Sequence, residues 1–366
     1  MARIHPRSAT GLGPAELRVG ALLVVNAGST SLKLHVVHED DQSTPVASLT
    51  EVPQRVDAVA HRVVHGGARF RNAVMIDAEV RSQISELVAL APLHNAPALE
   101  ALGEAQRELP DVPHVAVFDT SFHRTIPRQA ATYAVPARWR EEWGVRRYGF
   151  HGLSVEWCAQ RVPQLLGRPV QRLVVCHLGG GSSITAVRAG RSVDTTMGFS
   201  PLEGVPMTTR SGSIDPGALV YVLREHGLNL SLLDHSLNFD SGLAGLAGGT
   251  GEMLDIETRA RLGDTEAQLA LDVFVHRVAG AVAAMAASAG GIDALAFTAG
   301  IGEGSATVRA ETCARLSFLG LELDSERNET AEPDCDVATQ GAPVRILVVR
   351  AREELVAARA ARALLR

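Results

Sequence analysis

Lysine is nearly missing from this chain: Lys33 is the single one, and the other 34 of its 35 basic residues are arginines. A chain so biased uses arginine wherever a plain positive charge suffices. One retained ammonium is therefore either chance or a position that needs a compact point charge, as a tight phosphate cradle does. The surroundings of Lys33 decide between the two below. Long basic blocks are also lacking, and the formal net charge is -6 at pH 7. That leaves no electrostatic footprint for nucleic acid or an anionic membrane, so the expected partners are small molecules or a second copy of the chain. Cysteine is sparse: Cys158, Cys176, Cys313 and Cys335 lie far apart with no CxxC pair. This argues against a zinc site or a disulfide framework and fits a reducing, cytoplasmic setting. No apolar run is long enough to span a bilayer; the longest, Val278 to Ala289, is Ala-rich and reads as a buried helix. Residues 1 to 18 carry Arg3, Arg7 and Arg18 but no apolar stretch of the signal-peptide kind, so a loosely attached tail is expected over residues 1–20, with a weak amphipathic transit peptide left open.

What is present is globular. With 366 residues, 46% hydrophobic and 21% charged, the chain exceeds one ordinary core and predicts two domains. Residues 21 to 37 read as a buried strand, a tight polar turn (Asn26 to Ser31) and an alternating strand, a hairpin with Gly28 at its tip. Residues 172 to 187 repeat that plan around His177 to Ser183, and His177 stands 151 positions after Asn26, a spacing that suggests a duplicated domain and not a short solenoid. A third block, Ala294 to Gly304, runs from an apolar strand into a glycine turn. Strands alternating with helices over Gln83 to Ala91, Thr265 to Ala287 and Glu353 to Leu365 give an α/β class. Asp40 to Pro45 mark a loop.

Three Gly-rich turns, each after an apolar strand, could offer backbone N–H groups to phosphate oxygens, with the hydroxyls of Ser29, Ser31, Ser182 and Ser183 as further donors. A lone glycine turn is usually just a hairpin, and the chain has no GxxxxGK[ST] loop, so it is the joint occurrence that points to a nucleotide. Lys33 leaves the first turn, within reach of a bound phosphate; its location favours the functional reading. Four segments set polar residues in apolar or turn surroundings: His61 to Gly67, Val117 to His123, Tyr148 to Gly152 and Thr209 to Gly212. Phosphoryl transfer between two anions needs cations that gather them and neutralise charge on the transferred group, and Arg62, Arg210 and His151 are the candidates. Any one arginine of so many is ordinarily a solvated surface residue; the flanking motifs single these out. His65, His94 and His123 read as structural.

The strings NAGSTSLK (26–33), HRVVHGG (61–67), APLHN (91–95), FDTSFH (118–123), RRYGFHG (146–152), HLGGGSS (177–183), MGFSPLEGVPM (197–207), TRSGSIDPG (209–217) and FTAGIGE (297–303) together resemble the acetate kinase family, in order from about residue 21 to the end. The resemblance implies two duplicated actin-like ATPase (ribonuclease H-like) domains flanking a cleft. The first would be 21–119 plus 355–366; the second, 120–354, would carry the nucleotide site. It implies Mg2+-dependent in-line transfer (with Mn2+ as an alternative ion) from ATP to a short carboxylate, giving acetyl phosphate and ADP, in a homodimer. By motif, Asn26 and Glu353 would hold the metal. Lys33 would touch the nucleotide phosphates, and Arg62 would bind the acetate carboxylate, with Val64, Leu93, Phe150 and Pro201 around its methyl group. Asp119 would be the catalytic carboxylate; His151 and Arg210 would stabilise the transition state. His177, Leu178, Gly179, Gly180, Gly181, Glu252, Met253, Leu254, Gly300, Ile301, Gly302, Glu303 and Gly304 would line the nucleotide.

A carboxylate substrate with a pKa of about 4 to 5 is already ionised at pH 7, so no base is needed to make the nucleophile. Asp119 is therefore expected to orient an arginine or Mg2+. The chain departs from the family pattern where the nucleotide should sit: Glu252-Met253-Leu254 lacks an arginine, Gly180 and Gly304 replace amide side chains, and Ala351-Arg352 replace Thr-Asn ahead of Glu353. Arg62, Asp119, His151 and Arg210 are intact. Alternatives are a propionate or butyrate kinase, a donor other than ATP such as GTP or pyrophosphate, and a non-catalytic nucleotide-binding regulator, against which the intact residues speak.

Overall fold

The first sheet is built from strands whose residues are apolar on both faces. β1 (Leu22–Ala27), β4 (Ala58–Val63) and β6 (His114–Phe118) lie side by side and parallel, as buried parallel strands must. β2 (Leu32–Val37) and β3 (Ser43–Val46) continue as an antiparallel meander from β1, and the short β5 (Val74–Met75) pairs antiparallel at the far edge. The order is β3-β2-β1-β4-β6-β5. The computed structural model describes residues 20–28, 32–52 and 55–366, so the expected hydroxyl donors Ser29 and Ser31, and the tail up to residue 19, lie outside it.

The second sheet repeats the plan. β7 (Arg172–Leu178), β8 (Ser182–Arg188) and β9 (Arg191–Thr195) form the meander; β10 (Ala294–Thr298) and β12 (Arg345–Val348) extend it in parallel, and β11 (Cys335–Asp336) is the antiparallel edge. The order, read from the meander end as β9-β8-β7-β10-β12-β11, is that of the first sheet, strand for strand. β4 is reached from its parallel neighbour β1 through β2, β3 and a 3-10 turn, whereas β6 follows the helix Pro92–Glu108, β10 follows Thr265–Ala289 and β12 follows Ala306–Arg315.

Two helices lie between the sheets. Gly152–Leu166 packs on β7 and β10, and Glu353–Leu365 packs on β1, β4 and β6 and against the first helix. Their contacts merge into one core in which Leu22, Val24 and Val115 of the first sheet, Trp157, Val162, Leu355 and Val356 of the helices, and Leu173 and Val175 of the second sheet are all buried. Each such aliphatic side chain contributes about 1.5–3 kcal/mol. Thr265–Ala289 is long and apolar enough to cross a membrane, but Phe274, Val278 and Val282 pack on the outer face of the second sheet.

Three local expectations are corrected. Ser43 to Pro45 are part of an edge strand, where a proline removes no needed ladder bond. The helix expected at Gln83 to Ala91 starts at Ala78, capped by Asp77, whose carboxylate accepts from the Val80 amide at 2.7 Å, and tightens to a 3-10 turn over Leu87–Leu90. After β10 the chain does not make an open glycine turn but a short helical turn, Ala299–Gly304.

Candidate active site

Strand register brings the first group of residues together. Asn26 lies opposite Lys33 of β2 on one side and Arg62 of β4 on the other. In-register neighbours put their side chains on one face, so Lys33, Asn26 and Arg62 share a row at the strand ends. Arg62 then reaches Asp119, the residue after β6, through Nε to Oδ1 at 2.8 Å and Nη2 to Oδ2 at 2.5 Å, a fork-to-fork pair. Its Nη1 donates to Asn26 Oδ1 at 2.8 Å and stands 3.5 Å from Glu353 Oε2, which accepts from Asn26 Nδ2 at 3.1 Å. Of the five N–H groups of this guanidinium three are used, and one remains on each terminal nitrogen. Burial works against the Arg62 charge, but the carboxylates of Asp119 and Glu353 more than offset it and its pKa moves up. Burial pushes the Asp119 carboxyl up, with Arg62 opposing; burial also acts to raise Glu353, but Arg62, His177 and the Asn26 amide hold it below its ordinary value.

The second half contributes from the helix Gly152–Leu166 and the β7–β8 turn. His151 occupies the N-cap of that helix in a left-handed conformation (φ 57°), and its backbone N–H acts to lower the Asp119 carboxyl. The imidazole stacks on His177 at 4.1 Å between ring centroids, and Nδ1 is 3.1 Å from Ser183 Oγ. The imidazole is half-buried at the cavity wall, and desolvation, with the neighbouring His177, Arg62 and Arg210, lowers its pKa well below the ordinary value. It is neutral at pH 7, so its expected place among the cations is corrected: it can offer an N–H, not a charge. The hydroxyls of Ser182 and Ser183 are likewise corrected. Both are buried, and they serve Gly179 and His151 and not a phosphate. His177 is also neutral; burial lowers it to about 4, and its Nδ1 meets Ser154 Oγ at 2.8 Å.

Arg210 is held by neutral groups. Nη1 donates to the Pro201 carbonyl at 3.2 Å and Nη2 to His94 Nε2 at 3.0 Å, with no carboxylate partner among the described residues. Burial lowers its pKa, yet guanidinium stays protonated in proteins. His94 thus leaves the structural class in which sequence placed it: burial and the Arg210 charge hold it at about 3, and as a neutral acceptor it orients Arg210. His65 and His123 are scaffold. His65 Nδ1 accepts from the Gly67 amide at 2.9 Å, and His123 Nε2 meets the Phe150 carbonyl at 2.8 Å.

A cavity of about 890 Å3 joins these groups, its walls drawn from both sheets. Asn26, Lys33, Arg62, Val64, Leu93, Asp119, Phe150, His151, His177, Gly179, Gly180, Gly181, Pro201, Arg210, Glu252, Gly300, Glu303 and Glu353 all line it. Leu178, Met253 and Ile301 are core residues of the second half instead, Leu254 is 74% exposed, and Gly302 and Gly304 are outside the lining. Val64 and Phe150 form a closed apolar cluster with Met197 and Met207, two residues that sequence reasoning did not single out. Their loop is fixed by Arg147, which donates to the carbonyls of Thr195, Thr196 and Met197 and pairs with Glu203 at 2.8 Å. Glu303 Oε1 accepts from the amides of Ala299 (3.1 Å) and Ala351 (2.9 Å), joining two walls of the cavity.

Asn26 Oδ1 and the Glu353 carboxylate are hard oxygen donors beside Asp119. Magnesium commonly takes one or two carboxylates and fills the rest of its shell with water and phosphate oxygens, so the donor chemistry fits that ion. Among the described residues no group of three or more His, Cys, Asp or Glu forms a self-sufficient metal cage.

A duplicated sheet with cations gathered over an apolar cup at its strand ends is the construction of a phosphotransferase for a small acceptor. The acetokinase family model matches residues 46–359. An acetate kinase from Nostoc punctiforme is 44% identical over 93% of this chain and 86% of its own length. Among solved structures, a propionate kinase from Francisella tularensis superposes with a TM-score of 0.87 at 34% identity, covering 93% of this chain and 98% of that one. The acetate kinase of Porphyromonas gingivalis gives 0.84 at 31%, covering 95% and 100%. The chain belongs to the acetokinase family, kinases that transfer phosphate to the carboxyl group of acetate, with ATP and ADP as co-substrates.

Proposed function

We propose that this chain catalyses reversible transfer of the γ-phosphoryl group of ATP to acetate, giving acetyl phosphate and ADP, in the cleft between a first domain (21–119 plus 355–366) and a second (120–354). The observation that carries this reading is the position of the Arg62–Asp119 pair, His151 and Arg210 around the apolar cluster of Val64, Phe150, Met197 and Met207. Acetate has one charged end and one methyl. The two N–H groups left on Arg62 receive its carboxylate, and Val64, Leu93, Phe150 and Pro201 enclose the methyl, so the attacking oxygen is held in line without needing a base. Asp119 is buried and doubly bonded to Arg62, and so fixes the guanidinium plane. Arg210, which lacks an acidic partner among the described residues, meets the charge on the equatorial phosphoryl oxygens, and neutral His151 donates a hydrogen bond to them. Lys33 and the Gly179–Gly181 turn face the donor phosphates. Mg2+ held by Asn26 and Glu353 would neutralise charge on the phosphate oxygens.

A hydroxamate assay with acetate, propionate and butyrate against ATP, GTP and pyrophosphate tests the reading. The expected result is highest turnover with acetate and ATP; one added methylene shifts discrimination by only about 1–3 kcal/mol, so propionate is used more weakly. Absence of acyl phosphate with every carboxylate would overturn it. The partner is a second copy of the chain. Helices Pro216–Glu225 and Leu230–Phe239 bury no residue within the chain, and between them they expose Val220, Tyr221, Leu230, Leu232 and Phe239. Sedimentation at micromolar concentration is expected to give a dimer, and Tyr221→Glu a monomer.

A further inference from the structure

The segment between β12 and the helix Glu353–Leu365 carries two arginines that the proposed mechanism leaves idle. Arg350, Ala351 and Arg352 all line the cleft, directly before Glu353. Their main chain is anchored at three consecutive points: the Arg350 N–H donates to Asp334 Oδ1 at 2.8 Å, the Arg350 carbonyl accepts from Trp157 Nε1 at 2.8 Å, and the Ala351 N–H donates to Glu303 Oε1 at 2.9 Å. The side chains therefore leave a fixed backbone at the rim of the cavity, where Arg350 is exposed and Arg352 half-exposed. Arg350 has no acidic partner among the described residues, and Arg352 has a single loose one, Glu354 at 3.7 Å. Two guanidinium groups two residues apart repel each other, and nothing within the fold explains keeping both beside a cleft. An anion between them does. On the wall around Glu252, meanwhile, Met253 is buried and Leu254 points to solvent, so no arginine is offered there.

We propose that Arg350 and Arg352 grip the phosphate chain of the phosphoryl donor, so that this chain selects its donor through phosphate more than through base. The inference rests on the proposed use of the cleft for a phosphoryl donor. Guanidinium forks suit this task because they bind phosphate oxygens in pairs, and a backbone fixed before binding lowers the entropy cost of doing so.

The test is isothermal titration of the full-length chain, its Arg350→Gln and Arg352→Gln variants and Arg352→Lys, with ADP and with inorganic tripolyphosphate, beside steady-state kinetics. Wild type is expected to bind tripolyphosphate within about tenfold of ADP; each glutamine variant weakens both ligands about tenfold, a loss of about 1.4 kcal/mol. KM for acetate stays within about twofold, and Arg352→Lys recovers part of the loss. Glutamine variants that bind both ligands as wild type does would overturn the proposal, as would wild type that binds ADP but not tripolyphosphate. Failure of the proposed function looks different: no acyl phosphate forms from any donor, while the titrations still report on the arginines.

Discussion

At the scale of single residues, the chemistry concentrates in one guanidinium. Arg62 is held by Asp119, Asn26 and Glu353 and still keeps two donors for a substrate. Asp119→Asn replaces one accepting oxygen with a donor facing a donor. Breaking a buried pair of this kind costs about 3–5 kcal/mol, so kcat/KM for acetate is expected to fall about 10² to 10³-fold or more. Because Asp119 works by positioning, its loss leaves the shape of the pH–rate profile near neutrality unchanged; a neutral-range pKa that vanished in the variant would make it a base. These polar residues were legible because each stands in an unusual string beside a glycine or a strand end. Met197 and Met207, buried behind Val64 and Phe150, were not, since a methionine in an apolar loop looks the same whether it fills a distant core or backs the wall of a site. His94 was missed for a related reason. Nothing in its neighbourhood along the chain reveals that Arg210, more than a hundred residues later, needs an acceptor.

At the scale of elements, the helix Gly152–Leu166 is pressed against the site at its first residue. A Cβ on Gly152 would lie 1.9 Å from the Asp119 carbonyl oxygen, so backbone meets backbone with no room to yield. Gly152→Ala is expected to shift the helix start, displace His151 and Asp119 together, and reduce both melting temperature and kcat. The short turn Ala299–Gly304 depends on a different device. Arg309, 2% exposed, donates to the carbonyls of Gly302 (3.1 Å) and Glu303 (2.8 Å) and to Asn328 Oδ1 (2.7 Å). Arg309→Met leaves those acceptors unsatisfied at about 1–3 kcal/mol each, so the unfolding midpoint should fall markedly and KM for ATP should rise about tenfold while KM for acetate holds. The duplication itself was readable from two strand-turn-strand segments, and the repeated strand order matches it. Edge strands β3, β5 and β11 were not readable: they are two to four residues long and owe their pairing to the neighbouring strand more than to their own pattern.

For the whole molecule, histidine burial sets the response to acid. His61 and His94 are lowered to about 3, and His65, His123 and His177 to about 4, all chiefly by desolvation. In the unfolded chain these rings protonate near their ordinary value of about 6.5, so between pH 6.5 and 4 the unfolded state binds more protons. Stability is therefore flat in these groups above about pH 6.5 and falls as pH drops below it, by up to about 1.4 kcal/mol per unit for each ring. Chemical denaturation followed from pH 7 to 4.5 is expected to show that steep loss; a midpoint constant over the range would mean the rings are solvated.

The two places where the chain passes from one sheet to the other have a mechanical consequence. It leaves the first sheet just after β6, at Asp119, and it comes back between β12 and the helix whose first residue is Glu353, which packs on β1, β4 and β6. Were one half to bend against the other, these two strips of backbone are where the covalent chain would have to turn. The residues at these two crossings, Asp119 and Glu353, are also residues that line the cleft and hold Arg62, so any change in the angle between the halves would be felt first at that guanidinium.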